Sequence, residues 1–290
     1  NKRGIALNLK NPKGKEIFLK LARESDVVIE NFRKGAMDRL GLGYDDLKVL
    51  NPGLIYLQLK GFLSGPYEER RALDEIVQMM SGLAYMTGPP GQPLRAGASV
   101  VDIMGGMAGG IGILAALRER DATGNGQLVK AALFETAVFA VGQHMVQHAI
   151  NGEPLVPMSV PNRAWGIYDT FESADGKPIF VGVVTDTQWL RFCDVFERPD
   201  LLADPRLNSN GGRVLEREWR VGNVAETCKS FSADELLARC DQAQLAFGPV
   251  NKPEDLLDDP HLNEGGQLRV MNLPGGIQAK TPRLPLEMAG

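Results

Sequence analysis

Cysteine and histidine are scarce, and their placement argues against several chemistries. The three cysteines, Cys193, Cys228 and Cys240, have no metal-binding spacing. No metal site is expected, and a reducing cytosol suits such a chain. The three histidines are His144, His148 and His261. His144 and His148 stand four apart on an expected helix, but no glutamate lies between them and no third ligand is evident. A packed or surface pair is the better reading. Basic runs are also lacking, and with a net charge of −4 nothing calls for nucleic acid. No stretch of about 18 apolar residues is free of glycine and polar breaks, so no membrane span is expected. The nearest candidate, 103–117, is short and rich in glycine. Internal repeats and low-complexity tracts are missing. So are an initiator Met, a signal peptide and a transit peptide ahead of Asn1-Lys2-Arg3. Both ends read as if a longer polypeptide ran through them.

What remains is an ordinary globular composition, 43% hydrophobic and 23% charged. Its 290 residues suffice for one large domain or two unequal ones. The segment 4–9 alternates apolar with small or polar residues, the pattern of a strand. Helical spacing follows over 13–24. Asp26 to Glu30 reads as a short buried strand, with Asn31-Phe32 at its carboxyl end, where ligands collect in open α/β sheets. Short helices at 36–40 and 44–50 lead past Asn51-Pro52-Gly53 into a strand at 54–59. This strand–helix–strand alternation predicts a parallel sheet covered by helices. One helix is expected over 72–83, a proline-rich connector over 87–93, and a strand from Gln127 that runs into a long helix ending near Ile150. Beyond Asn151 the character changes. Asp175-Gly176 between two strand patterns predicts a hairpin, and helices are expected at 187–195, 212–230 and 233–242. The expected domains are 1–134, a linker at 135–161, a smaller α+β domain at 162–247, and a return to the first domain over 248–290.

Asp102 stands out within this frame. It follows the apolar run Ala98–Val101 and heads a stretch, 103–117, that is small or apolar on every face. A helix buried all round is the expectation. Five glycines within it cost roughly 1 kcal/mol each against alanine, which makes sense where another backbone or a ligand comes close. A carboxylate at the head of such a helix lies near the positive end of the dipole, which favours its ionised form. It can serve as a nucleophile or base. The alternative is a simple helix cap.

Several stretches then combine in order: Asn1–Leu7, Asp26–Gly35, Asn51-Pro52 to Lys60-Gly61-Phe62, Gln78 through Ser81-Gly82, Pro93-Leu94-Arg95 with Gly97, Asp102, Gly112–Leu117, Thr123–Gln127 and Gly248-Pro249-Val250. Through them the chain resembles the family III CoA-transferases, the superfamily that includes formyl-CoA transferase, carnitine CoA-transferase and the 2-methylacyl-CoA racemases. The resemblance implies a Rossmann-like open parallel sheet with helices on both faces, a smaller α+β domain, and an interlocked homodimer. It implies a cytoplasmic enzyme that moves CoA between acyl-CoA and a carboxylic acid through covalent aspartyl intermediates. No tightly bound cofactor is expected; CoA enters as substrate. Asp102 falls on the family's catalytic aspartate. Leu7, Lys10, Asn31, Phe32, Met37, Arg39 and Arg71 fall on or near CoA-holding positions, with Asn31 and Phe32 as an adenine platform. Asp74 and Arg95 are further active-site candidates, and Arg95 and Arg163 are candidates to clamp a second carboxylate. Two departures narrow this picture. A four-glycine active-site loop typical of formyl-CoA transferase has no counterpart between Asn162 and Asp186. Leu73 stands where the racemases carry a histidine, which argues for transfer over racemisation. A racemase, a non-catalytic CoA-binding protein and an oligomerising scaffold remain as alternatives.

Overall fold

The computed structural model describes residues 2–160 and 164–288, with the side chains of 218–220 outside the description. Two compact units divide the chain, 1–160 and 161–290.

The first unit is a three-stranded parallel sheet with its crossover helices. Strands β1 (Val27–Glu30), β2 (Ile55–Lys60) and β3 (Leu128–Ala132) lie in the order β1-β2-β3. Val27 pairs with Ile55 and Tyr56 with Leu128, so the carboxyl ends of all three strands share one edge. Helices α1 (Pro12–Glu24), α2 (Ala36–Arg39) and α3 (Tyr44–Leu50) surround β1 in sequence. Asn11 caps α1 through its side chain, and Pro12 opens the helix without sacrificing a hydrogen bond. At its other end Asn51 donates to the carbonyls of Ala22, Arg23 and Ser25. That contact fastens α1 to the turn before β2. Ala22, Met37, Leu42, Leu47, Leu54 and Tyr56 form the core between these helices and the sheet.

Between β2 and β3 come α4 (Asp74–Met80), α5 (Leu83–Thr87) and α6 (Val100–Thr123), and α7 (Leu133–Asn151) follows β3. The expected single helix over 72–83 is two. It stops at Ser81, and Gly82 turns the chain with a φ of 84°, a left-handed conformation open to glycine and strained for other residues. The expected strand at 4–9 is absent: that segment joins no ladder, and β1 pairs with β2 alone.

Helix α6 departs most from expectation. It is buried on one face only, through Val101, Gly105, Gly109 and Ala116. A Cβ on Gly109 would approach Leu57 to 2.8 Å, and one on Gly112 would approach Val129 to 2.7 Å. These glycines let the helix lie close on β2 and β3, so the close backbone approach inferred from the sequence is real on that side. Ile103, Met107, Ile111 and Leu114 are exposed on α6, as are Phe139, Val146 and Ile150 on α7. Among the described residues α6 is the one helix long and apolar enough to cross a membrane by length and composition. Its glycines pressed against the sheet mark it as a packing element.

The second unit holds an antiparallel sheet of β4 (Ile167–Glu172), β5 (Pro178–Val183) and β6 (Ala246–Pro249). Asp175-Gly176 makes the β4–β5 turn, with Gly176 at a φ of 76°. Helices at Asp186–Val195, Arg217–Lys229 and Ala233–Gln242 supply the remainder of its core, where Trp189, Phe192 and Phe196 stack in sequence. Cys193, Cys228 and Cys240 are free thiols buried in that core. A further hairpin, β7 (Leu268–Asn272) with β8 (Gln278–Pro282), closes the unit.

Candidate active site

The amino-terminal end of α6 is capped from outside its own sequence. Ser99, at the capping position, makes no side-chain cap bond. Instead the Asp74 carboxylate, at the start of α4, accepts from the backbone N–H groups of Val101 (2.9 Å) and Asp102 (3.0 Å) through Oδ2. These are two of the donors that a helix start leaves without partners. Asp74 is only 7% exposed. Its Oδ1 accepts from Nε2 of Gln78, one helical turn along α4, and the Gln78 Oε1 accepts from Ala96 N–H (2.8 Å). The Asp74–Gln78 pair thus fastens both the head of α6 and the connector leading into it.

Asp102 sits in the first turn of α6, exposed, and its carboxylate has no hydrogen-bond partner among the described residues. Desolvation by surrounding atoms and the like charge of Asp74 push its carboxyl above the ordinary value of 3.8. The sequence favoured the opposite direction, from the helix dipole. Desolvation is the larger cause of the reversal, and Asp74, whose carboxylate already occupies the N–H groups of Val101 and Asp102, adds to it. The result is an accessible carboxylate, more basic than usual and held on a fixed helix end.

A cleft of about 950 Å³ opens along the carboxyl edge of the sheet. Asn31, Phe32, Arg39 and Arg71 line it, while a smaller cavity of about 350 Å³ is lined by Lys10 and again by Arg39. Five of the seven proposed CoA-holding residues therefore gather around two cavities that share Arg39. Leu7 lines neither, and Met37 is a core residue. The larger cleft carries seven Lys or Arg against four Asp or Glu, a local excess of positive charge on a chain that is negative overall. Lys34 pairs with Glu68 and Glu69, but Arg33, Arg39 and Arg71 have no ion pair among the described residues. Guanidinium groups left free in this way suit an anionic ligand. Ala72, Leu73 and Ile76 form part of the cleft wall. The cleft thus reaches the residue before Asp74, although Asp102 itself does not line it.

Arg95 is half-exposed and paired with Glu75. Arg163 lies outside the described residues. Gln78, Glu30 and Lys60 fall within the stretches that carry the resemblance, but sequence reasoning gave a role neither to Gln78 nor to the Glu30–Lys60 ion pair. The position of the latter two at adjacent strand ends, next to Asn31-Phe32, was a signal that could have found them. Among the described residues no three His, Cys, Asp or Glu side chains gather as a metal site.

Comparison with known proteins gives a consistent result. The family described as CoA-transferase family III matches residues 1–290. A succinyl-CoA:mesaconate CoA-transferase of Haloarcula marismortui is 32% identical over 286 residues, covering 97% of this chain and 71% of that protein. A succinate–glutarate CoA-transferase of Agrobacterium fabrum is 33% identical over 291 residues, covering 99% of this chain and 72% of the relative. The crystal structure of a CAIB/BAIF family protein from Brucella suis superposes with a TM-score of 0.87 at 30% identity, over 99% of this chain and 75% of that one.

Proposed function

The chain belongs to CoA-transferase family III, and from that premise we propose how its own residues move CoA from an acyl-CoA donor to a carboxylic acid. The Asp102 carboxylate attacks the thioester carbonyl. The C–S bond breaks, CoA leaves as thiolate, and Asp102 carries a mixed anhydride. The thiolate then attacks the Asp102 carbonyl, which releases the donor acid with one former Asp102 oxygen and leaves an aspartyl-CoA thioester. The acceptor carboxylate repeats both steps in reverse and regenerates Asp102. Electrons and protons balance with no redox partner or metal, so the reaction needs neither as cofactor. The observation that carries this reading is the accessible, unpartnered Asp102 carboxylate on a helix fixed by Asp74, beside a cleft rich in free guanidinium groups.

CoA occupies that cleft, its phosphates on Arg39, Arg71 and Lys10 and its adenine on Asn31 and Phe32. Binding energy from this remote handle positions the reacting thioester. Replacing Arg39, Arg71 or Lys10 with glutamine should raise KM for acyl-CoA by about three- to tenfold, with less change in kcat, because such contacts hold ground and transition states alike. A fall in kcat at unchanged KM would remove them from CoA binding.

The acids are dicarboxylates, with Arg95 released from Glu75 to hold the distal carboxylate. The relatives that act on succinate, mesaconate and glutarate support this class. An exchange assay that pairs succinyl-CoA with mono- and dicarboxylic acids tests the function: CoA should appear on a dicarboxylic acceptor. Thioester hydrolysis alone, or deuterium entering C2 without transfer, would contradict it.

We further propose that two copies interlock in a cytoplasmic homodimer. The exposed apolar residues of α6 and α7 support a permanent partner, since such stretches are costly in water. Light scattering should give twice the chain mass, and dissociation should coincide with unfolding. A stable monomer that still binds acyl-CoA would overturn this assembly.

A further inference from the structure

Phe32 is 53% exposed and lines the larger cleft, yet its backbone is held by buried charges. Strand β1 ends at Glu30, and its chain then leaves the sheet. Peptide groups beyond a strand end lose their ladder partners and need substitutes. At Phe32 both substitutes are side chains. The N–H donates to Oε2 of Glu30 (2.7 Å), and the C=O accepts from Nζ of Lys60 (2.8 Å). Lys60, at the end of the neighbouring strand β2, also pairs with Oε1 of Glu30. The Glu30 and Lys60 side chains are only 3% and 14% exposed, in that order. Burying an ion pair is a poor source of stability, because desolvation offsets the attraction. Here the pair does something a hydrophobic replacement cannot: it fixes both polar groups of one residue and so the direction in which its ring leaves the backbone.

We propose that Glu30 and Lys60 are positioning residues that hold the Phe32 ring as a preformed stacking surface for the nucleotide base of CoA. This rests on the reading that the cleft takes CoA. Preorganisation matters because a ring free to turn must be ordered on binding, at a cost to affinity.

The test compares two thioesters of the same acid, acyl-CoA and acyl-pantetheine, which lacks the nucleotide. Lys60→Met should raise KM for acyl-CoA by about tenfold, the scale of losing one base–aromatic stack. Its kcat should stay within about twofold and its kcat/KM for acyl-pantetheine should match wild type. In a Phe32→Leu background Lys60→Met should add nothing, since the ring it acts through is gone. Equal losses on both thioesters would overturn the proposal in favour of a purely structural pair. Full additivity with Phe32→Leu would overturn it in favour of direct contact between Lys60 and CoA. If Lys60→Met does not fold, Glu30→Gln keeps an acceptor for the Phe32 N–H and removes the counter-charge. A loss of about threefold confined to acyl-CoA is then expected, and an unchanged KM would overturn the proposal. Wild-type protein that handles the two thioesters equally would sink the CoA reading itself, a result distinct from any of these.

Discussion

Asp102→Asn should lower CoA exchange by about 10⁶-fold, on the scale seen when a covalent nucleophile is removed. An amide does not attack a thioester to give an anhydride. The fold should survive, because the wild-type carboxylate is exposed and accepts no hydrogen bond among the described residues. Stability should even rise slightly at neutral pH. The folded protein holds the Asp102 proton more tightly than the unfolded chain does, through desolvation and the Asp74 charge. Ionisation of Asp102 therefore opposes folding. The penalty is absent below the ordinary carboxyl range and complete once pH exceeds the raised value. The asparagine variant should melt higher than wild type at neutral pH and lose that advantage as pH falls below the ordinary range. Steady-state exchange and thermal melts at two pH values measure both effects. Exchange above a few per cent of wild type would remove Asp102 from the mechanism.

Asp74→Ala should cost both stability and activity. The substitution strands the N–H groups of Val101 and Asp102 at the head of α6 and leaves the buried Gln78 amide without its acceptor. Removing a helix cap costs about 1 kcal/mol, and a buried donor left unsatisfied costs about 1–3 kcal/mol. A loss of about 2–3 kcal/mol is expected in urea denaturation. Exchange should fall by about 100-fold, because the nucleophile then rides on a frayed turn. Asp74→Asn separates charge from geometry. Its amide oxygen can still accept from the helix, but its nitrogen then faces the Gln78 amide, donor against donor. It also removes the negative charge that raises the Asp102 carboxyl. The acid limb of kcat/KM, where Asp102 takes up its proton, should move to lower pH in this variant. Full stability with abolished exchange in Asp74→Ala would instead make Asp74 a reacting group.

Much of the frame that positions these groups was legible in the sequence, because its signals are local. Pro12 opens α1, Asn51-Pro52-Gly53 ends α3, and the alternation with apolar runs near Val27 and Ile55 marks parallel strands. The misreadings share a cause. The run 4–9 has the pattern of a strand, but a strand exists only where a neighbour pairs with it. Helix α6 looks uniformly apolar, and only the sheet distinguishes Gly109 and Gly112, which press on it, from Gly106 and Gly110, which meet open space. The hairpin β7–β8 had its turn in plain sight at Pro274-Gly275-Gly276, between short extended runs. The cap on α6 left no local trace, since Asp74 lies in another helix. Asp102 could be singled out from its own surroundings, whereas Asp74 was named only through the resemblance and its role as the cap of α6 not at all.

Oxygen-18 in the acceptor acid tests the central claim most directly. Each forward transfer returns Asp102 to its free form with one oxygen taken from the acceptor carboxylate. After turnover with labelled acceptor and succinyl-CoA, the proteolytic peptide that contains Asp102 should gain oxygen-18. The gain should require both substrates and vanish in Asp102→Asn. Sustained CoA transfer with an unlabelled Asp102 peptide would contradict the account, because CoA would then be passing between acids without a covalent aspartyl intermediate.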